Sequence, residues 1–579
     1  MKQKLARVLL IPLLALLFFM WAGSAGDGIS TIRFQEIGKK AGVDHLHHTH
    51  VFKGKKGDVL SMFTSGGASA AVADYDNDGL DDLFVTDSDE GRTNRLYHNN
   101  GDGTFTDVTE SAGVARGNDA HSIVSDALWF DYDNDGRVDL LVARFGTPLL
   151  YHNEGNGKFK DVTANSGLNK FGNTVAAIAF DYDNDGYLDL LFGNYFQAED
   201  LTDLKTPNVL PNDLDNAING GGVTLWHNNG KGRFEEVTKK AGLGHHTGWT
   251  LDVGHGDFNN DGYQDIYLAC DYGTDRIFFN NGDGTFRDAT EKAIGFDTKK
   301  GMNAEVADYD NDGWLDIYVT NITDEYMKEC NMLWHNNGDG TFTDVSKETG
   351  TCDTLWGWGA KFGDFDNDGW QDLFAANGLR SAGKDNYIPV LVNMIIRPGI
   401  NFSDINNWPN IGNMSWSGFQ KKKLFHNLGT QSFKEIAAEA GVDNELDGRG
   451  VAIADFDNDG RLDIYQTNAN QRALLYRNQT ENAGNWLELK LVGSKSNRDA
   501  IGARVKVRAG SLSMIREVAG GNGYSSQSST RLHFGLGHVG KIDSAEIRWP
   551  SGLVENVEVP INRITYIKEG KGVIKRPRP

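Results

Sequence analysis

Aspartate residues recur along this chain at a fixed, short spacing. Carboxylates at alternate positions of a tight turn can converge on one hard cation, and Ca²⁺ takes six to eight oxygen ligands. The string Asp-x-Asp-x-Asp-Gly-x-x-Asp-Leu/Ile provides such a turn, and its copies begin at Asp74, Asp131, Asp181, Asp308, Asp364 and Asp455, with a close variant at Asp257. The sequence therefore predicts up to seven calcium sites.

Each copy is expected to supply side-chain oxygens from its first, third, fifth and ninth residues, the carbonyl of its seventh residue, and a glycine for the sharp turn. In the first copy the ligands are Asp74, Asp76, Asp78, Asp82 and the carbonyl of Leu80, whereas Asp81 points away. The corresponding sets are Asp131, Asp133, Asp135, Arg137 and Asp139; Asp181, Asp183, Asp185, Tyr187 and Asp189; Asp308, Asp310, Asp312, Trp314 and Asp316; Asp364, Asp366, Asp368, Trp370 and Asp372; and Asp455, Asp457, Asp459, Arg461 and Asp463. The variant set is Asp257, Asn259, Asp261, Tyr263 and Asp265, and because Asn259 is uncharged we expect this site to be weaker.

The turns differ from EF-hand loops, which lie between helices and end in glutamate at position twelve. Here position twelve is never glutamate, and apolar stretches such as residues 70–73 and 83–85 flank the first loop. This pattern predicts two strands joined by the loop. A plain Asp-Gly hairpin turn is the simpler alternative, but it does not explain three or four acidic residues at fixed spacing in seven copies.

The loops belong to a longer repeat. Successive motifs start 57, 50, 76, 51, 56 and 91 residues apart, so the repeat is close to fifty residues with two enlargements. After each loop a strand such as residues 96–99, a glycine turn and a further strand beginning at Phe105 or its equivalent follow. Four strands per repeat of this length are typical of the blades of a β-propeller.

The two ends of the repeat region predict how it closes. The seventh repeat stops near Asn478 without a fourth strand, and residues 34–37 match the missing strand. A first segment that completes the last blade removes open sheet edges. We therefore predict an all-β chain, with a seven-bladed β-propeller over residues 30–480 and a small β-rich C-terminal domain over residues 485–570.

These motifs identify two resemblances. The calcium loops resemble the FG-GAP/VCBS repeats of integrin α-subunit propellers and of secreted bacterial proteins, although the literal Phe-Gly pair precedes a loop only at Phe362-Gly363. Strings that include Gly520-Gly521-Asn522-Gly523-Tyr524 and Trp549-Pro550-Ser551-Gly552 resemble the ASPIC/UnbV domain. Together they make the chain similar to the cartilage acidic protein family. The resemblance implies a calcium-binding propeller of the kind used in adhesion, without implying a defined activity.

The N-terminus resembles an export signal. Lys2, Lys4 and Arg7 precede an apolar run over residues 8–19, and small residues at 23–25 form a cleavage site. The apolar run is short for a membrane span. We therefore expect a signal peptide over residues 1–25, no stable membrane insertion after its cleavage, and a secreted, periplasmic or cell-surface protein.

Charge and cysteine content limit the choice of partners. The formal net charge of −23 excludes nucleic acid as a natural partner. Cys270, Cys330 and Cys352 form no zinc or disulfide-scaffold pattern. Cys330 and Cys352 either form a disulfide or are buried free thiols like Cys270.

The two enlargements, near residues 196–222 and 378–422, are expected on the face opposite the calcium loops, where long insertions commonly bind or gate. Tyr387, Trp408 and Trp416 in the second insertion either stack on a ligand or pack the insertion itself. His245 and His246 lie on the same rim as candidate contacts or simple surface residues, and the run His45, His47, His48 and His50 is interpreted as a solvated loop rather than a metal site.

No catalytic motif appears in the sequence, so we predict a ligand-binding or adhesion module for carbohydrate or an extracellular protein, and no catalytic residue is assigned. The alternatives are a calcium-dependent polysaccharide lyase or hydrolase, because such sites can assemble from residues far apart in sequence, and a structural partner of an extracytoplasmic complex.

Overall fold

A computed structural model describes residues 31–54, 56–246 and 248–576. The predicted export signal lies outside these residues. The described chain is mostly β-structure, arranged as successive four-stranded antiparallel sets followed by two further sheets. This agrees with the predicted β-rich chain, to which the structure adds short helices.

We name the four-stranded sets of the repeat region unit 1 to unit 7 in chain order. Unit 1 contains Ala70–Ala73, Asp82–Val85, Arg95–Asn99 and Phe105–Asp107; unit 2 contains Ile123–Phe130, Asp139–Gly146, Leu149–Gly155 and Lys158–Asp161; unit 3 contains Gly172–Phe180, Asp189–Asn194, Gly222–Asn228 and Phe234–Glu236; unit 4 contains Trp249–Gly256, Asp265–Tyr272, Arg276–Asn280 and Phe286–Asp288. Unit 5 contains Glu305–Ala307, Asp316–Val319, Met332–Asn336 and Phe342–Asp344, and unit 6 contains Gly357–Gly363, Asp372–Asn377, Lys423–Asn427 and Phe433–Glu435.

Unit 7 is built from both ends of the repeat region. Its strands are Gly448–Ala454, Asp463–Asn468, Leu474–Asn478 and Phe34–Glu36. Phe34 pairs with Asn478 and Glu36 with Tyr476 in antiparallel register. The predicted pairing of the N-terminal strand with the last repeat is therefore confirmed.

The hydrophobic core lies between neighbouring units. Short first strands such as Ala70–Ala73 are buried on both faces because each is flanked by the first strands of two other units. In chain order these first strands contact one another around a closed circuit, in which the first strand of unit 7 also contacts that of unit 1. Val72 of unit 1, for example, shares a buried cluster with Ala452 and Tyr465 of unit 7.

Short helices connect the units. Single-turn helices follow fourth strands at Gly38–Ala41, Thr109–Ala112, Thr163–Ser166, Thr290–Ala293, Ser346–Thr349 and Ala437–Ala440. Outside this pattern lie the helices Gly57–Phe63 and Ile388–Ile395, the 3₁₀ turn Ile405–Asn407, and a hairpin of Thr323–Asp324 with Met327–Lys328. Among the described residues no helix has the length and apolar character needed to cross a bilayer.

The C-terminal region forms two four-stranded sheets. One contains Leu532–Gly537, Asn485–Val492, Ile564–Lys568 and Gly572–Ile574; the other contains Leu512–Glu517, Arg504–Ala509, Ser544–Arg548 and Val554–Val557. The short strand Ser526–Gln527 leaves these sheets and pairs in parallel with Ala70 and Ala71 of unit 1. The C-terminal region is thus joined to the repeat region by main-chain pairing.

One disulfide links Cys330 to Cys352, on either side of the third and fourth strands of unit 5. Cys270 is a buried free thiol. The sequence left open whether Cys330 and Cys352 form a disulfide or are free thiols, and the structure shows the disulfide. Disulfides persist in oxidising compartments, so this bond is consistent with an extracytoplasmic location.

Candidate functional site

The acidic loops have a common hydrogen-bonded frame. In loop 1 the Gly79 amide donates to Asp74 Oδ2 at 2.9 Å and the Leu80 amide donates to Asp78 Oδ1 at 2.8 Å. Gly79 has a φ of +87°, which an L-residue rarely adopts. The turn therefore depends on this glycine, and it holds the first and fifth motif residues on one side of the loop.

The ninth motif residue ties the loop to the third strand. Asp82 is buried and accepts hydrogen bonds from the Tyr75 amide at 3.2 Å and from the Asn99 amide at 2.8 Å. The equivalent residues accept in the same way from the third-strand asparagine, and they are Asp139, Asp189, Asp265, Asp316, Asp372 and Asp463. These main-chain bonds keep the ninth residue within the loop in all seven units.

The structure brings a histidine into five of the loops. His98 Nδ1 lies 3.4 Å from Asp76 and 3.3 Å from Asp82, and His152, His227, His335 and His426 occupy the same place in units 2, 3, 5 and 6. In each of these units two aspartates and the histidine have ligand atoms close enough to hold one cation. The predicted ligand sets do not include these histidines. The available signal was the recurring string of an aromatic residue, histidine and asparagine.

Two loops depart from this arrangement. In unit 7 Arg477 replaces the histidine and pairs with Asp457. In unit 4 the position is Phe279, and Arg548 of the C-terminal region contacts Asp257 instead. The guanidinium of Arg548 supplies positive charge to the loop that also carries Asn259, which fits the expected weakness of this site.

Burial makes the carboxylates of the loops electrostatically costly without a nearby positive charge. Desolvation raises the pKa of Asp82 to about 8 and that of Asp139 to about 6. The hydrogen bond to Asp82 raises the pKa of His98 to about 9. A bound cation would stabilise the ionised carboxylates of such loops, so their electrostatics match their geometry.

Asparagine side chains link the loops into a ring. The fourth motif residue, Asn77, has a left-handed φ of +62° and donates from its side chain to the Gly136 carbonyl in the next loop at 3.2 Å. The same bond runs from Asn134 to Gly186, Asn184 to Gly262, Asn260 to Gly313, Asn311 to Gly369, Asn367 to Gly460 and Asn458 to Gly79. The last bond returns to loop 1, so the series is closed. Asparagine occupies this position in every copy, and that signal was not used in the prediction.

The loop face is covered by the C-terminal region. Arg531 is buried between units 7 and 1, where it donates to the Gly79 carbonyl at 3.1 Å and lies 3.3 Å from Asp81. Asp81, predicted to point away from the ion, is thus paired with an arginine. In the neighbouring loop of unit 2, the Arg498 amide donates to the Asn134 side chain at 2.8 Å. The C-terminal region therefore contacts the loops directly.

A segment of the C-terminal region, residues 520–528, passes through the centre of the repeat region. The Gln527 side chain exchanges two hydrogen bonds with the main chain of Trp129, at 2.7 and 2.8 Å. Asn522 makes the same exchange with His255, at 2.9 Å each way. Further main-chain contacts reach Ala179 and Ile453. This segment therefore bonds to the first strands of several units and fills the space between them.

The opposite face carries the two insertions, because each follows the second strand of its unit, at the end remote from the loop. The insertions pack on each other: the Leu210 amide donates to the Ser403 carbonyl at 3.1 Å, and the Ile405 amide donates to the Pro207 carbonyl at 2.9 Å. Tyr387 and Trp408 are buried within the second insertion. These two residues therefore pack the insertion itself, which was the simpler of the two alternatives.

An aromatic cavity lies beneath these insertions. Its walls include Trp356, Trp358, Trp416, Tyr195 and Asp271. The Tyr195 hydroxyl donates to Asp271. Burial raises the pKa of Asp271 to about 6. An acidic group surrounded by tryptophan and tyrosine rings can orient a polar ligand that also stacks on aromatic faces.

His246, one of the two rim histidines near the cavity, contacts residues of its own unit. Its Nε2 lies 2.9 Å from Thr250 Oγ1. Burial lowers its pKa to about 4. His246 is therefore a neutral packing residue of unit 4.

Comparison with protein families decides the family of the chain. The FG-GAP-like repeat model matches residues 61–128, 131–192, 213–268, 257–319, 323–375 and 414–465. The chain belongs to the FG-GAP-like repeat family. The ASPIC and UnbV model matches residues 493–574, the region that covers the loop face. Both resemblances found in the sequence are confirmed.

The curated relatives are cartilage acidic proteins. Cartilage acidic protein 1 of Xenopus tropicalis is 28% identical over 251 residues, which covers 39% of this chain and 38% of the relative. The Homo sapiens protein is 25% identical over 265 residues, with 41% of this chain and 40% of the relative covered. The match thus spans about two fifths of each relative and shows distant homology.

Solved structures with a similar chain path are more remote. An Agrocybe aegerita lectin that recognises non-reducing terminal N-acetylglucosamine is 17% identical, covers 70% of this chain and 86% of its own, and has a TM-score of 0.37. An exotype rhamnogalacturonan lyase is 14% identical, covers 71% of each chain, and has a TM-score of 0.35. Neither likeness identifies a ligand of this chain.

Proposed function

We propose that this FG-GAP-repeat protein is a secreted, calcium-binding, seven-bladed β-propeller that acts as an adhesion or ligand-binding module. Its ligand, a carbohydrate or an extracellular protein, binds at the aromatic cavity on the insertion face. The observation that carries this proposal is the position of that cavity on the insertion face, since the C-terminal region covers the loop face and reaches the cavity only with Tyr524.

The propeller is supported by the closed series of contacts. The first strands contact one another in chain order, and the asparagine bonds between loops return from Asn458 to Gly79. A ring of this kind leaves only short sheet edges, at the outer fourth strands of its units. Units 1 to 7 are then the seven blades.

Calcium is supported by the donor set of the loops. Alternate carboxylates and main-chain carbonyls are hard oxygen ligands, which Ca²⁺ prefers to softer ligands. The loops lie under the C-terminal region, and Arg531 and Arg498 contact them. We therefore assign calcium a structural role, in which it fixes the loops that the C-terminal region binds, and we place the ligand elsewhere.

Polysaccharide cleavage is a second candidate because of one observation. Asp271 has a pKa of about 6 and lies beside Tyr195 in an aromatic cavity. A carboxyl group that titrates near neutrality can act as a general acid or base. Asp271 and Tyr195 are the residues to which this alternative would assign the proton transfer.

A glycan array probed with residues 26–579 in millimolar calcium tests the proposed function. We expect binding that is lost in Asp271→Asn and weakened in Tyr195→Phe. Tyr263→Ala, which changes an aromatic residue on the loop face, serves as the matched control and should bind as the wild type does. If no glycan binds, the wild type and the same three variants are compared in a pull-down of extracellular proteins.

Binding that survives both cavity variants would contradict the proposed site. New reducing or unsaturated ends in the bound polysaccharide, absent with Asp271→Asn, would establish the enzymatic alternative instead. The two functions are thus separated by one set of variants.

A further inference from the structure

Two histidines converge on one aspartate far from the acidic loops. Asp87 follows the second strand of unit 1 and therefore lies at the insertion face. His48 Nδ1 is 2.8 Å from Asp87 Oδ2, and His45 Nε2 is 3.5 Å from the same oxygen. Asp87 is 39 positions from His48 in the chain, and only the fold brings it to the two histidines.

The group is built into the protein. The side chains of His45 and Asp87 are 9% and 2% exposed, and that of His48 is 28% exposed. His45 Nε2 is buried and has no hydrogen-bond partner among the described residues. A buried imidazole nitrogen without a partner is costly, and it points at the carboxylate that His48 also contacts.

The segment that carries these histidines is fixed at several points. The Ala473 amide donates to the His45 carbonyl at 2.8 Å, and the Ser88 amide donates to the His48 carbonyl at 3.1 Å. The expectation of a solvated loop is therefore wrong. The segment is wedged between units 7 and 1, where main-chain bonds to both units hold it.

His47 shows what a purely structural histidine looks like in the same run. Its Nε2 lies 3.1 Å from Ser88 Oγ, which itself donates to the Val124 carbonyl, and its Nδ1 accepts from the Asn470 amide at 3.4 Å. Both ring nitrogens of His47 are thus used. His45 and His48 differ because their nitrogens face a shared carboxylate.

We propose that His45, His48 and Asp87 bind a divalent first-row transition metal ion, for which zinc is the probe. Two imidazoles and one carboxylate are a donor set that suits zinc and leaves further positions open, whereas calcium prefers an all-oxygen set. Neighbouring ligands of a tetrahedral zinc ion are separated by about 3.3 Å. The two nitrogen-to-oxygen distances of 2.8 and 3.5 Å bracket this value.

The remaining coordination positions of the metal ion would face the solvent-accessible side of the site, where His48 is partly exposed. They can take water or an anionic oxygen of a bound molecule. The alternative is that both imidazoles donate N–H groups to Asp87 and only fix the segment. A measurement of metal binding distinguishes the metal site from this purely structural role.

Isothermal titration of residues 26–579 with zinc chloride, in millimolar calcium to saturate the acidic loops, tests the site. We expect about one zinc ion per chain, bound by His45, His48 and Asp87, because saturating calcium competes for the acidic loops. His45→Ala/His48→Ala should lose this ion and keep its calcium content. His121→Ala removes an exposed histidine that lies 2.7 Å from Asp200, and it should bind zinc as the wild type does.

Cobalt provides a readout that needs no variant. Co²⁺ bound by two imidazoles and a carboxylate absorbs in the visible range, and zinc should displace it. Wild-type protein that binds no zinc and shows no cobalt bands in calcium, or a folded double variant that binds zinc unchanged, would overturn the proposal.

Discussion

The side-chain amide of Asn99 donates to the main-chain carbonyl of Phe456, 2.8 Å away, and so joins unit 1 to unit 7 across 357 positions of the chain. Third-strand asparagines make the same bond to the preceding unit elsewhere, namely Asn153 to Tyr75, Asn228 to Tyr132, Asn280 to Tyr182, Asn336 to Phe258, Asn427 to Tyr309 and Asn478 to Phe365. The repeat region is therefore closed by a second ring of hydrogen bonds besides that of the loop asparagines.

Asn99→Ala tests this closure. The change leaves the buried Phe456 carbonyl unsatisfied and removes a bond to the Asp81 carbonyl, so we expect a loss of about 2 kcal/mol or more in the free energy of unfolding. Asn100→Ala is the control, because Asn100 is exposed and bonds only within its own turn. Urea unfolding in calcium gives both values, and equal losses would contradict a special role for Asn99.

Calcium removal should destabilise the protein. A ligand that binds only the folded state contributes about 2.7 kcal/mol per site at a hundred times its Kd, so EDTA should lower Tm substantially. Asp183→Asn/Asp185→Asn should reduce the calcium content by one ion. Asp261→Asn should leave the content at submillimolar calcium unchanged, because Asn259 and Arg548 already weaken site 4. A melt that is indifferent to EDTA would exclude structural calcium.

The acidic loops were predictable because the residues that form them lie close together in the sequence. The spacing of Asp74, Asp76 and Asp78 is written in one stretch of sequence, and the turn that gathers them needs only a glycine at the sixth position. The strand that closes unit 7 was predictable for a related reason, since residues 34–36 repeat a pattern seen after other loops.

Contacts between distant segments were not predictable in the same way. Asn99 and Phe456, or His48 and Asp87, are joined only after the chain has closed, and no periodicity relates them. Nor does the sequence show that residues 520–528 fill the centre of the ring. The glycines of that segment mark a close approach of backbone to backbone, but not to which strand.

The stability of the protein should depend on Asp271 in a way that varies with pH. Burial raises the pKa of Asp271 to about 6 from an ordinary value of 3.8, so between these values the folded state binds more protons than the unfolded state. Stability is then lost as the pH rises through this window. Asp271→Asn, which cannot ionise, should be more stable than the wild type at pH 7 by about 3 kcal/mol, since the pKa rises from 3.8 to about 6 and each pKa unit corresponds to about 1.4 kcal/mol.

Urea unfolding at pH 4 and pH 7 measures this difference. The gain from Asp271→Asn should be small at pH 4 and larger at pH 7. A gain that is the same at both values would show that Asp271 is ionised at an ordinary pKa. A variant that is more stable and binds ligand less well is the pattern expected of a residue retained for binding.

The disulfide of unit 5 should stabilise the protein in an oxidising medium. Cys330 and Cys352 are separated by 22 positions, and closing a loop of this size in the unfolded chain contributes about 3 kcal/mol in the chain-entropy description. Cys330→Ser/Cys352→Ser should lower the free energy of unfolding by about this amount. A reductant should have the same effect on the wild type and none on the variant. A reductant effect that persists in the variant would point to Cys270.

The last prediction concerns the segment in the centre of the ring. A methyl group added at Gly520 would overlap the carbonyl oxygen of Ala179 in the first strand of unit 3. Backbone cannot move aside as a flexible side chain can, so Gly520→Ala should displace the segment and cost about 1–3 kcal/mol. Gly540→Ala is the matched control, since its added methyl meets no atom within 4 Å.

Limited proteolysis and thermal unfolding together distinguish the outcomes for Gly520→Ala. We expect new cleavage near residues 519–528 and a lowered Tm, with neither change in Gly540→Ala. If the segment only fills space, the ring should keep its calcium content and its ligand binding on the insertion face. Loss of ligand binding in a folded Gly520→Ala protein would instead show that the segment shapes the cavity, which Tyr524 helps to line.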